Sequence, residues 1–559
     1  MRKVRTMVGR GWRGKMLMMP LTAGVMVAML LIAVSMLGST PVSAQTCRKE
    51  LKLLTWNVAA VNNNPFEYWI THDDAGYASL MEGVQKFINE PGDQDVEVEK
   101  VFTESMFNEV MEEMKSRETK GLVEVTTRWK EDLKGRKIIS EFIKDKKIGK
   151  KRLTSMPDRV TNSIHLDDGG LALRPTVINC MEEQIPDMEG WWKKWKSFMF
   201  KDEISLPKRD GKSKRKVPFE MLQRIMHSKY PDITVEEEEI SIPLQTVCLA
   251  IFDAILVHML NKVASSSWQP IRRTVCKALN KDKDKKIMSI LKDVYKDADV
   301  VFLQETSSAF YNKISRDSFF TSRYRIFSPK SATGKRDQNS LILADKSAFL
   351  QNTGKEVTEA ILQYDKDKSA APGDLLVISV ETSGNKRFLL ASFHGDTNGL
   401  ATIPIVRALL QAKKSKFPEH QLLMGLDANT YKVHSEQYQG VKEFNSFLSS
   451  EGMTSCWGSN PNPSSPTTCN ARTYLQPQLN KAIGKDEKLS KGDVNLKDWI
   501  IFPESDFRAN HTIKDNTGSK TYEDNMVFPT LKFPSDHAIV YTSLVPSVAR
   551  EKSDHCLLG

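Results

Sequence analysis

Residues 300–306 read VVFLQET: four apolar, β-prone residues followed at once by Gln304, Glu305 and Thr306. Such a run is a buried strand that ends on polar groups. Four other short segments extend the pattern in fixed order. They are TWNV at 55–58, SFHGDTNG at 392–399, GLDANTY at 425–431 and PSDHAIV at 534–540. Three of these also close an apolar run with Asn, His or Asp, and the last sets Asp-His just before one. Strand ends are where an α/β sandwich gathers polar groups into one cleft. The residue types suit a divalent cation acting on phosphate: carboxylates as ligands, Asn as donor, His for proton transfer or charge neutralisation.

The same reading carries outward along the chain. Residues 51–58 (LKLLTWNV) read as a first buried strand, and the stretch 287–298 as an amphipathic helix feeding the strand at 300. Beyond it, RYRIFS, NSLILAD, DLLVISVET, RFLLASFH, QLLMGLDAN, DWIIFPES and HAIVYTSL alternate with helices around 405–414 and 438–450. Strands outnumber helices and come partly in hairpin-like pairs. The expected fold class is α/β: a mixed-sheet β-sandwich flanked by helices. Residues 62–284 are charged, rich in Met, Lys and Glu, and spaced for helices at 99–120, 181–200 and 244–263. The expected organisation is one sandwich from 45–61 and 285–546, a large mostly helical insertion at 62–284, and a tail at 547–559.

Residues 1–44 are set apart. Six basic residues precede an apolar run at 17–37, then Pro41 and Val42-Ser43-Ala44. This is the pattern of a secretory signal cut after Ala44, or of a signal anchor if it is retained. Without those six charges the formal +10 falls to +4, so the basic balance of the whole chain is no argument for nucleic-acid binding. The local runs at 144–152, at 208–216 and at 236–239 read as solvated faces. Seven cysteines leave one without an intramolecular partner. Cys456 and Cys469 flank a Pro/Ser/Asn loop and are the expected disulfide. Asn510-His511-Thr512 is a glycosylation sequon expected in a surface loop. Trp191, Trp192 and Trp195 share one side of a helix, expected as domain packing over a membrane-interfacial patch.

On these segments the chain resembles the endonuclease/exonuclease/phosphatase superfamily, across about half of its length. The resemblance implies Mg²⁺, with Mn²⁺ as an alternative, held by Glu305 with Asn57 and Asp536. It implies Asp427 as the group that orients and deprotonates water, Asn429 as a phosphoryl donor, and His537 on the phosphate, oriented by Asp498. His394 is implied as general acid, as in the deoxyribonuclease and sphingomyelinase branches. Ala59 and His394 depart from the apurinic-endonuclease pattern, and Gly425-Leu426-Asp427 carries one residue more than the deadenylase pattern. Asp396 and Asn398 divide between phosphate binding and turn chemistry, while Asn62, Asn63 and Asn64 read as loop.

The function so implied is a secreted or lumenal phosphoesterase, a phosphodiesterase acting on nucleic acid or a phospholipid head group, with possible contact to a membrane surface. The rival from another class is a non-catalytic binding protein that keeps the sandwich and works through the insertion.

Overall fold

The computed structural model describes residues 50–207, 213–331, 338–477 and 492–547. The expected signal or anchor, most of the expected C-terminal tail and part of the basic run at 208–216 lie outside the described residues. All of the described residues belong to one compact unit.

The sandwich strands are β1 Leu51–Asn57, β2 Val300–Thr306, β3 Tyr324–Phe327, β4 Asn339–Asp345, β5 Lys355–Glu356 and β6 Leu375–Glu381. They continue as β7 Arg387–His394, β8 His420–Asp427, β9 Met453–Ser455, β10 Asp498–Pro503, β11 Phe507–Asp515 and β12 Ile539–Pro546. The first sheet has the order β11-β12-β1-β2-β4-β3, the second β9-β10-β8-β7-β6-β5. Both are mixed: β1 runs parallel to β2 and β7 parallel to β8, and the other neighbours are antiparallel. The expected mixed α/β sandwich is the observed architecture.

The period of two sorts the apolar residues into layers. Leu51, Leu53, Val300, Phe302 and Leu544 face Leu376, Ile378, Leu390, Leu423 and Ile500 between the sheets. Their neighbours Leu54, Trp56, Val301 and Leu303 point the other way and pack into a core shared with the long segment between β1 and β2. The outer face of the second sheet is covered by helices Thr402–Lys416 and Val441–Ser450. The sheets approach closely at Gly425, where a Cβ would stand 2.5 Å from the Phe302 ring.

Between β1 and β2 the chain is mostly helical, with two short hairpins at 163–173 and 204–216. Its centre is helix Ser241–Ala264, long and apolar enough to span a membrane but buried within the block. Asp253 on that helix is fully buried and fully satisfied. It accepts from Arg174 (2.7 Å), Thr176 (2.6 Å) and the Trp195 indole (2.9 Å). Trp191, Trp192 and Trp195 are all buried in this core, so the tryptophan cluster is packing. The basic and acidic runs of the block meet each other: Lys151 pairs with Glu237 at 2.6 Å and Lys150 with Asp232 at 3.7 Å.

Two expectations are corrected. The disulfide joins Cys180 to Cys276 inside the block. Cys456 keeps a free, buried thiol between the two sheets, whereas Cys469 belongs to the core on the other side of the first sheet. A residue of sheet separates the two sulfurs, which loop length alone does not reveal. The sequon lies in edge strand β11 instead of a loop, with Asn510 exposed at the register shift between Ala509 and His511. Three further sandwich strands, β5, β9 and β11, were not expected.

Candidate active site

The register of the second sheet sets His394, Asp427 and Asp498 side by side on β7, β8 and β10. In the first sheet Asn57, the last residue of β1, lies opposite Gln304, one residue before Glu305. The two strand ends converge on one cleft of about 1000 Å³. Asn57 bridges the sheets, its amide donating to Glu305 Oε1 at 3.2 Å and to Asp427 Oδ2 at 2.9 Å. His394 Nε2 reaches the same Glu305 oxygen at 3.1 Å and Asp427 Oδ2 at 3.7 Å. The other Glu305 oxygen accepts the Ala60 amide at 2.7 Å.

Below this constellation Gln304, fully buried, stitches the sheets. Its amide donates to Thr55 Oγ1 and Ser392 Oγ, each at 3.1 Å. Glu305 itself has φ 54° at the register shift of β2, and Asn429 has φ 47°. Left-handed backbone at non-glycine residues persists only where the surroundings enforce it, and it concentrates at working sites. Gly399 serves the second of these. A Cβ there would lie 2.5 Å from the Asn429 carbonyl oxygen, so only glycine allows the 395–399 turn to press on the end of β8.

The PSDH segment is tied to β1. Ser535 Oγ donates to the Asn57 carbonyl at 2.6 Å and accepts the His537 amide at 3.0 Å, and the Trp56 indole donates to the His537 carbonyl at 3.0 Å. His537 Nδ1 then meets both Asp498 oxygens at 3.1 and 3.0 Å, leaving Nε2 3.7 Å from Asp427. Asp536 lines the same cleft.

Burial alone would favour the neutral forms of these groups. At Glu305 it is outweighed by the adjacent His394 charge, and the carboxyl is held well below the usual carboxylate range. His394 is correspondingly raised to about 9, burial being overcome by Glu305 and Asp427. His537 is raised well above the ordinary imidazole value against its burial, chiefly by Asp498. Both shifts favour the protonated imidazole.

Asp427, Asp498 and His537 can bring one ligand atom each within 4.8 Å of one another, which makes them a possible metal-binding group. Both Asp498 oxygens, however, face His537 Nδ1, and an ion there would break the carboxylate–imidazole contact. Glu305 and Asp536 offer the hard carboxylate oxygens that Mg²⁺ takes, beside the cleft and away from that contact. Asn57, expected as a further ligand, turns its –NH2 to the two carboxylates and its Oδ1 to the Ala59 amide at 2.8 Å, so it orients Glu305 instead.

Several cleft residues carry no motif. Lys497, buried, donates to Asn429 Oδ1 at 2.9 Å and pairs with Asp493 at 2.7 Å. Asn429 uses its amide on the Gly395 carbonyl at 3.0 Å. Lys283 and Arg472 line the same cleft. Lys497 stands one residue before Asp498, so its adjacency to a site residue was its only sequence signal. Asp396 accepts the Ala401 amide at 2.7 Å and the Asn398 amide at 3.3 Å, which is turn chemistry. Asn62 and Asn64 cap their own loop, which lines the cleft.

A family model described as a domain of unknown function (DUF8234) matches residues 95–273, within the helical block. No curated protein matches the chain. Among solved structures, similarity extends to Danio rerio TDP2 complexed with single-strand DNA product, at 16% identity, 47% of this chain, 92% of that chain and a TM-score of 0.31. An endonuclease/exonuclease/phosphatase from Bacteroides vulgatus shows 11% identity over 49% and 92%, with a TM-score of 0.33. The human Nocturnin catalytic domain with bound sulfate shows 14% identity over 47% and 87%, with a TM-score of 0.32. These neighbours include endonuclease/exonuclease/phosphatase proteins.

Proposed function

We propose that this chain is a metal-dependent phosphoesterase, more narrowly a phosphodiesterase, acting on nucleic acid or a phospholipid head group in the secretory lumen or outside the cell. The observation that carries the reading is the shared use of Glu305 and Asp427 by Asn57 and His394 where the two sheets meet. A protein that only binds has no need of a buried carboxylate set between two protonated imidazoles.

Glu305 and Asp536 are the residues that would hold Mg²⁺ or Mn²⁺, with Asn57 orienting Glu305. When bound, such an ion supplies charge to the phosphoryl oxygens and acidifies water. Asp427 is the base that takes the proton from attacking water. Its orientation is fixed by the Asn57 amide and by the Asn429 backbone amide at 2.9 Å. His394, protonated and beside Glu305, gives its proton to the departing oxygen. His537, held by Asp498, presents Nε2 to the phosphoryl group as a fixed donor. Lys497 holds the Asn429 side chain in place.

The proposal is tested by offering the purified protein bis-p-nitrophenyl phosphate, plasmid DNA and sphingomyelin, each with Mg²⁺ and with EDTA. Cleavage of at least one, lost in EDTA, is the expected result, and the substrate cleaved separates the nuclease from the head-group reading. No metal-dependent cleavage of any of the three contradicts it.

A further inference from the structure

The helical block returns to the sandwich through Lys283, the first residue of the short helix Lys283–Ser289. This lysine is 4% exposed and lines the cleft together with Glu305, Asp536 and His537. Its ammonium donates to the Pro534 carbonyl at 3.2 Å, two residues before Asp536. Among the described residues no carboxylate lies in ion-pair range of it, although Asp536 and Glu305 both act on its charge. The buried Lys497 lines the same cleft and is differently placed, being paired with Asp493. Lys286, three residues on, gives two hydrogen bonds of 2.6 Å to the carbonyls of Ala278 and Leu531 and does not line the cleft.

An ammonium has three donors, and a buried one with a single carbonyl acceptor is under-satisfied unless a ligand completes it. The sequence around the cleft supplies one chemistry that would do so, an anionic oxygen. We propose that Lys283 is a substrate-contacting residue that donates to a non-bridging phosphate oxygen, so that the helical block contributes directly to the site. The proposal rests on the phosphoester reading above. Its position supports it further. The loop after β1, where the block begins, is joined to the segment before Lys283 by Asn280, whose amide donates to Asn63 Oδ1 at 2.9 Å. Both ends of the block are thereby fixed at the cleft mouth. Burial pulls the ammonium down to about 8 against the charges of Asp536 and Glu305, and an anionic phosphate oxygen beside it would raise it.

The competing account is that Lys283 only clamps the Pro534 carbonyl. Lys283→Gln separates the two, because glutamine keeps a donor for that carbonyl and removes the charge, while Lys283→Met removes both. Lys286→Gln serves as a control for loss of a nearby structural lysine. The readouts are inorganic phosphate affinity in the presence of Mg²⁺, KM and kcat on bis-p-nitrophenyl phosphate, and thermal midpoint.

The expected result is phosphate affinity weakened at least about tenfold in both Lys283 variants, a matching rise in KM, and no such change in Lys286→Gln. Wild-type phosphate affinity and KM in Lys283→Gln overturns the proposal, whether or not Lys283→Met is impaired. The two readings fail separately. Turnover that needs Asp427 but is indifferent to Lys283→Gln removes Lys283 and leaves the enzyme. Phosphate binding that needs Lys283 in a protein without turnover removes the enzyme and leaves the anion contact.

Discussion

Asp427 is the residue on which the site turns, because it accepts from both sheets: Asn57 reaches it from the first and the Asn429 backbone from the second. Replacing it by alanine removes the proposed base, and kcat should fall by about 10²–10⁴-fold with the fold intact by circular dichroism. Glu305→Gln keeps the shape of the side chain and loses its charge, so Mg²⁺ affinity measured by titration calorimetry should drop while thermal stability changes little. The motif residues were legible because each closes an apolar run. Lys283, Lys497 and Gln304 were not, since a lysine in a lysine-rich helical segment, a lysine before a strand, and the glutamine of LQET carry no periodic signal. What distinguishes them is a tertiary contact: Pro534, Asn429 and Ser392 respectively.

At the scale of elements, strands with continuous apolar runs were readable, as β1, β2, β4, β7, β8 and β10 illustrate. Polar edge strands were not. β11 (FRANHTIKD) buries only its end residues Phe507 and Asp515 and carries a register shift, so it has neither a clean alternation nor an apolar run. Register was also invisible, and it is register that aligns His394, Asp427 and Asp498 across three strands. Gly425 marks a close inter-sheet contact. Gly425→Ala must move the Phe302 ring and should cost about 1–3 kcal/mol in denaturant unfolding. In the helical block Asp253 is the counterpart of Arg174 in a dry core. Asp253→Ala leaves that guanidinium with only the less buried Asp158, at 2.6 Å, and strips the Thr176 and Trp195 donors of their acceptor, and should cost about 3–5 kcal/mol.

For the molecule as a whole, the segment between β1 and β2 shares one apolar core with the outer face of the first sheet. Leu54, Trp56, Val301 and Leu303 belong to the same continuous apolar cluster as block residues such as Leu80, Val84 and Leu256. Cutting out residues 62–284 would expose that face, so the truncated sandwich should be insoluble or molten, with a broadened thermal transition. The composition shift between the sandwich and the block made the interruption of the chain legible. The common core was not, because helical spacing shows which face is apolar and not what covers it. The wrong cysteine pair has the same origin: Cys180 and Cys276 are 96 residues apart and meet only when the block folds.

The central claim is that the residues gathered where the two sheets end perform metal-dependent hydrolysis of a phosphate ester. The most direct measurement is the rate of bis-p-nitrophenyl phosphate hydrolysis by the purified protein in Mg²⁺, in EDTA, and in Mg²⁺ with Asp427→Ala. The account predicts turnover in the first condition and none above background in the other two. Equal rates in all three, or no turnover in any, would contradict it.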